Sequence, residues 1–191
     1  MRQEGRSYTY AAWGGVAFMA ACLITTLADG RWDHAALVSG FLAASVAYLT
    51  FIHQLPREMD LLVILTCLAN TYGWGERLLE TVYVFDDIIH LLTTFTAALL
   101  LGLRLGQFLG APFAERRALL WLFAASITLA GSVLWEFAEW VSNAFQPLED
   151  PLPDLFFNTL GASSGAALAM RVLRQYPPGT WRVRHKLPGP P

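Results

Sequence analysis

The chain has 191 residues, of which 55% are hydrophobic and only 15% are charged, and its mean hydropathy of +0.42 exceeds that of most soluble domains. This composition excludes an ordinary soluble enzyme and predicts an integral membrane protein, with the lipid bilayer as its first partner. The formal net charge of -2 and the lack of long Lys or Arg runs exclude a nucleic-acid-binding surface, so no nucleic acid is expected as a partner.

A membrane-spanning helix needs about 20 apolar residues, and six such stretches follow one another along the chain with short connections. We therefore predict an all-α fold, a polytopic bundle of six transmembrane helices over residues 1–175, followed by an irregular cytoplasmic tail over residues 176–191. The predicted spans are about Tyr8 to Ala28, Ala35 to Gln54, Met59 to Leu79, Asp86 to Leu109, Arg117 to Ala144 and Asp154 to Gln175.

The basic residues indicate how these spans are oriented. With the N-terminus in the cytoplasm, eleven of the thirteen basic residues fall in cytoplasmic segments, and only Arg31 and Arg77 fall outside. This bias follows the positive-inside rule and predicts that both termini are cytoplasmic. The first stretch has a basic flank and a small-residue end, as a signal peptide has, but its length favours a retained membrane anchor.

Three short polar motifs lie at the predicted outer ends of the later spans. Each motif pairs residues three or four positions apart, which share one face of a helix. The pairs are Asp86 with His90, Glu136 with Glu139, and Asp154 with Asn158. In the predicted orientation they meet at one depth, where Asp87 adds further negative charge. Ionisable groups beside the hydrocarbon are costly, so their convergence predicts a functional site.

Clustered carboxylates repel one another, and a bound divalent cation would relieve that repulsion. Carboxylate oxygens with one imidazole suit Mg, Mn, Fe or Zn. Each residue also has a structural interpretation. Asp154 and Asp86 could accept the free backbone amides at a helix start, Glu139 could be solvated, and Glu136 and His90 could bond a neighbouring helix. For the three motifs together, a functional site is the favoured interpretation.

Taken in order, the motifs resemble the bacterial YjdF-like membrane protein family and, more distantly, the VanZ-like family. The motifs are Asp86-x-x-x-His90, Glu136-x-x-Glu139-Trp140 and Asp154-x-x-x-Asn158-x-x-Gly161-x-x-x-Gly165. The resemblance covers about Tyr83 to Gly165 and implies the bacterial inner membrane and an envelope setting, without implying a particular reaction. The VanZ-like family is linked to glycopeptide resistance at the cell surface. The chain departs from the family pattern in its short, proline-rich segment 146–153.

Two functional hypotheses follow, and they belong to different classes. The first is a metal-assisted enzyme that acts on a lipid or cell-envelope precursor, with its site facing the periplasm or exterior. Its predicted metal ligands are His90, Glu136, Glu139 and Asp154, its predicted catalytic residues are Asp86, His90 and Glu136, and its supporting residues are Asp87 and Asn158. The second is a non-enzymatic binding, assembly or small transport protein, although few ionisable groups continue the site across the membrane.

Overall fold

A computed structural model describes residues 4–52, 55–56, 58–109, 116–142 and 151–176, with backbone alone described at 4–7, 80, 83, 139–142 and 151. The predicted tail after Tyr176 and the predicted span ends at Gln54 and Ala144 lie outside these residues. The predicted all-α class is confirmed for the described part of the chain. Its helices are α1 (Glu4–Ala28), α2 (Trp32–Phe51), α3 (Glu58–Gly75), α4 (Leu78–Thr81), α5 (Tyr83–Leu109), α6 (Arg117–Ser142) and α7 (Pro151–Gln175).

Four segments of the described helices are long and apolar enough to cross a membrane, which agrees with an integral, multi-pass membrane protein. They are Tyr8–Ala28, Trp32–Phe51, Val84–Leu109 and Arg117–Ala138. The third and sixth predicted spans also form long helices, but these are more polar. Glu58 and Asp60 lie in the first turn of α3, and α7 is rich in Gly, Ala and Ser. Six spans and cytoplasmic termini therefore stay predictions.

The third predicted span ends earlier than the sequence indicated. Helix α3 stops at Gly75 rather than Leu79, because Arg77 takes a left-handed backbone conformation with a φ of 59° and the short α4 begins after it. The guanidinium of Arg31 donates to the carbonyl of Gly75 and pairs with Asp29 at 2.8 Å. The α1–α2 turn thus satisfies a carbonyl at the end of α3 that lacks a partner within the helix.

The helices form two compact units, with the boundary between Leu78 and Leu79. In the first unit, α1, α2 and α3 pack against one another. In the second unit, α5 packs most extensively on α7, and both contact α6. The core of the second unit is made of small side chains, namely Ala98, Ala124, Ala125, Ala162 and Ala166. Small side chains let helix backbones approach closely, as is usual inside membranes.

Two glycines of α7 lie directly against the backbone of α5. A Cβ atom at Gly161 would collide with the carbonyl of Leu91 and the side chain of Thr94, and one at Gly165 would collide with the backbone of Phe95. Both approaches are closer than real Cβ atoms tolerate. The GxxxG pattern therefore serves close packing in this unit, and the contact begins one residue after His90.

Candidate functional site

In the second unit, the first turns of α5 and α7 meet the last part of α6. Helix α5 contributes Asp86 and His90, α6 contributes Glu136, and α7 contributes Asp154 and Asn158. The imidazole of His90 lies at the centre, because each of the other four residues has a polar atom near one of its ring nitrogens. Three helix ends thus converge on one largely buried side chain.

Two aspartates face the Nε2 atom of His90. Asp86 Oδ1 lies 3.5 Å from this nitrogen, and Asp154 Oδ1 lies 3.7 Å from it. One potential ligand atom from each of the three residues lies within 4.8 Å of the others, and all three side chains are half-buried. This group, which we call the Nε2 cluster, combines two carboxylates and one imidazole in a volume that one ion could occupy.

The opposite ring nitrogen has different neighbours. His90 Nδ1 lies 3.3 Å from Asn158 Oδ1 and 3.5 Å from Glu136 Oε1. The side-chain amide of Asn158 also donates from Nδ2 to Glu136 Oε1, at 3.3 Å. Asn158 is only 1% exposed, so both ends of its amide depend on these protein partners. A buried amide and a carboxylate therefore fix the Nδ1 side of the ring.

The local sequence explains why carboxylates are tolerated here. Asp86 is in the first turn of α5, and Asp154 is in the first turn of α7. Free backbone amides and the helix dipole stabilise negative charge at these positions. Asp86 and Asp154 therefore both lie at a helix start and contact His90, so the structural and the functional interpretation of these two residues do not exclude each other.

Three carboxyl groups, those of Asp86, Glu136 and Asp154, lie beside the one imidazole of His90. Asp86 and Asp154 both repel Glu136, whereas His90 and the amide of Asn158 attract it. Such a group of carboxylates is less costly when a cation lies among them, because each carboxylate then gains an opposite charge. These carboxylates and the imidazole have the chemistry to bind a metal cation, and they can equally share a proton among their oxygen and nitrogen atoms.

The structure brings together most of the residues that the sequence singled out. The converging residues are Asp86, His90, Glu136, Asp154 and Asn158. Asp87 is half-buried and follows Asp86 on α5, which turns it about 100° around the helix axis. Glu139 belongs to α6, but its side chain lies outside the described part of the structure. The predicted role of Glu139 as a ligand therefore stays a prediction.

The residues of the Nε2 cluster differ from the predicted metal ligands, which included Glu136 and Glu139 but not Asp86. The sequence predicted Glu136 as a metal ligand and Asp86 as a catalytic residue only, whereas the Nε2 cluster contains Asp86, and Glu136 lies on the other side of the ring. The sequence could have predicted that Asp86 joins His90 in the cluster, because residues four positions apart lie on one face of a helix. No described residue outside the predicted set belongs to the Nε2 cluster.

Comparison with curated proteins and with solved structures gave no match. The family described as "Predicted membrane protein (DUF2238)" has a model that matches residues 8–175, a range that includes every residue of the candidate site. This match is consistent with the resemblance to YjdF-like proteins, whereas the VanZ-like resemblance stays a prediction. The chain therefore belongs to the DUF2238 family of predicted membrane proteins.

Proposed function

We propose that Asp86, His90 and Asp154 bind a divalent metal ion, and that this ion assists a reaction on a lipid or cell-envelope precursor. The observation that carries the proposal is the Nε2 cluster, in which three ligand atoms from two helices lie within 4.8 Å of one another. A cluster of two carboxylates and an imidazole is a donor set that Mg, Mn, Fe or Zn accepts.

The spacing of the cluster supports a shared ion. Ligand atoms about 2.1 Å from one metal ion, at the usual coordination angles, lie about 3.0–3.6 Å apart. The separations of His90 Nε2 from the two aspartate oxygens are 3.5 and 3.7 Å, close to this range. A charge-assisted hydrogen bond would be shorter, at about 2.7–2.9 Å. Both separations are longer than such a bond, which is the spacing that a proposed ion between the three side chains requires.

The number of ligands favours chemistry over a purely structural ion. Structural sites are usually closed by four protein ligands, whereas catalytic sites keep positions for water or substrate. Among the side chains that the structure describes, the three candidate ligands are those of Asp86, His90 and Asp154, which leave such positions. A bound ion there would supply Lewis acidity and would lower the pKa of bound water. The chain's own contribution is to hold the ligands rigidly on two helices that are in backbone contact.

Exposure and topology support a substrate at the membrane surface. The side chains of Asp86 and Asp154 are 25% and 19% exposed and lie at helix starts, so a molecule beside the helix ends can reach them. The distribution of basic residues favours the outer face of the bacterial inner membrane for these ends. A lipid-linked precursor with an anionic headgroup fits, because a cation can bridge the headgroup and the aspartates.

The binding part of the proposal is tested by titrating full-length, chelator-treated protein in detergent with Mn²⁺ and with Zn²⁺ in a calorimeter. We expect one ion per chain for the wild type and affinities at least about 100-fold lower for Asp86→Asn and Asp154→Asn. Asp87→Asn is the matched control, since it removes an adjacent carboxylate outside the Nε2 cluster, and it should bind like the wild type. A wild type that binds neither ion would overturn the proposal.

The reaction part needs a separate measurement. Wild type and Asp86→Asn are incubated with a bacterial envelope lipid extract and Mn²⁺, and the extract is analysed by mass spectrometry. We expect a lipid precursor to be consumed by the wild type alone. Ion binding without any change in the extract would contradict the enzymatic role. The result would instead support a binding, assembly or transport protein.

A further inference from the structure

Glu136 interacts with the site through Asn158 as well as directly. The side-chain amide of Asn158 donates a hydrogen bond from Nδ2 to Glu136 Oε1, at 3.3 Å. The other end, Oδ1, then faces His90 Nδ1 at 3.3 Å. The orientation of the buried amide is thus set by Glu136.

An amide oxygen can only accept a hydrogen bond, so His90 Nδ1 must carry the proton that it donates to Asn158 Oδ1. Glu136 Oε1, at 3.5 Å from Nδ1, is a second oxygen beside this proton. In a neutral imidazole the opposite nitrogen, Nε2, then has a free lone pair. That lone pair faces Asp86 Oδ1 and Asp154 Oδ1, which also lack protons when ionised.

We infer that Glu136 is a positioning residue that, through Asn158, fixes the proton of His90 on Nδ1 and leaves Nε2 free to bind the ion. This inference rests on the proposed function and assigns Glu136 a role other than that of ligand. It matches a general feature of metal sites, in which the second nitrogen of a histidine ligand donates to a carboxylate or carbonyl oxygen. Here the donor and its acceptors come from three different helices.

Without Glu136, the amide of Asn158 loses the acceptor that orients it. The amide can then rotate and present Nδ2 to His90 Nδ1, which requires Nδ1 to accept and moves the ring proton to Nε2. A proton on Nε2 occupies the nitrogen that would bind the ion and must be displaced before binding. The inference therefore predicts that loss of Glu136 changes the tautomer of His90 and weakens ion binding together.

The test uses ¹⁵N-histidine-labelled, full-length, chelator-treated protein in detergent, with ring nitrogens observed by NMR. The chain has four histidines, and the His90 signals are assigned by their loss in His90→Gln. We expect the wild type to carry the His90 proton on Nδ1. Glu136→Leu should shift the population toward Nε2–H and weaken Zn²⁺ binding by about 10- to 100-fold.

A second substitution separates orientation from charge. Asn158→Asp places an acceptor-only side chain beside Nδ1, so the double variant Glu136→Leu/Asn158→Asp should regain the Nδ1–H tautomer without Glu136. A structural role for Glu136 alone would not produce this rescue. A wild type with the proton on Nε2, or on both nitrogens, overturns the inference, whether or not Glu136→Leu folds.

The two proposals fail in different ways. If the wild type shows Nδ1–H and the variants shift as described, but neither Mn²⁺ nor Zn²⁺ binds, the proton placement stands and the proposed function fails. If the ions bind the wild type and Glu136→Leu keeps both the Nδ1–H tautomer and the full affinity, the inference fails and the proposed function stands.

Discussion

Each compact unit contains a largely buried histidine close to a carboxylate. The two histidines differ in whether their acidic neighbours come from the adjacent residue or from other helices. His34, in the first unit, is 8% exposed; its Nδ1 lies 3.0 Å from Asp33, the preceding residue, and its ring packs edge-on against Trp74. His90, in the second unit, is approached by side chains from α5, α6 and α7. A histidine beside an acid is common, whereas acids brought to one ring by several helices require tertiary structure.

Three other buried polar side chains of the first unit each make a hydrogen bond within their own helix. Thr26 donates to the carbonyl of Cys22, Thr66 donates to that of Leu62, and Asn70 donates to that of Thr66. Each of these bonds closes within one helical turn and offsets the burial of a single polar group. In the second unit, by comparison, Asn158 bonds residues of two other helices. The amide of Asn158 therefore links three helices, which a bond within one helical turn does not do.

The largest expected effect tests the comparison of the two histidines directly. His90→Ala should weaken Mn²⁺ or Zn²⁺ binding by more than about 100-fold, because it removes a ligand from the Nε2 cluster. His34→Ala removes a histidine with an adjacent acid and should leave the affinity unchanged. Equilibrium dialysis followed by elemental analysis measures both. Equal losses in the two variants would contradict the assignment of the site to the second unit.

Ion binding should stabilise the second unit selectively. At an ion concentration of about 100 times the Kd, the folded state gains about 2.7 kcal/mol. Hydrogen exchange with and without Zn²⁺ should then show slower exchange in α5 and α7 of the wild type, with little change in α1–α3. Asp154→Asn should show no such difference. Protection that rises equally in both units would indicate a nonspecific effect of the ion.

A side chain introduced into the backbone contact between α5 and α7 should lower stability and weaken ion binding. Gly161→Ala forces a methyl group against Leu91 and Thr94, so we expect unfolding to become easier by about 1–3 kcal/mol, and ion binding to weaken because His90 is displaced. Gly131→Ala in α6 is the matched control, since a Cβ there meets nothing within 4 Å. That control should be neutral or stabilising by up to about 1 kcal/mol. Denaturation in detergent measures both, and comparable losses would contradict the packing role.

The sequence predicted the helical class and most of the site because both depend on local spacing. Apolar stretches of membrane length predict helices, and residues four apart, such as Asp86 and His90, share a helix face whatever the tertiary structure. The ring nitrogen that a carboxylate faces depends instead on the rotation and separation of two helices. Here the close contact at Gly161 sets the separation of α5 and α7. The position of Glu136 beside Nδ1 of His90 depends on how α6 packs against these two helices, which spacing along the chain does not give.

The smallest expected effect concerns the first unit and tests whether its polar contacts are purely structural. Arg31 donates to the carbonyl of Gly75 and pairs with Asp29, and Lys cannot reproduce this two-directional planar geometry. Arg31→Lys should therefore destabilise the fold by about 0.5–1 kcal/mol, since the pair is partly exposed. Arg104→Lys, which alters an exposed bond to Gln107, is the control and should have no effect. Ion affinity should be unchanged in both variants, and a loss in Arg31→Lys would show that the two units do not act separately.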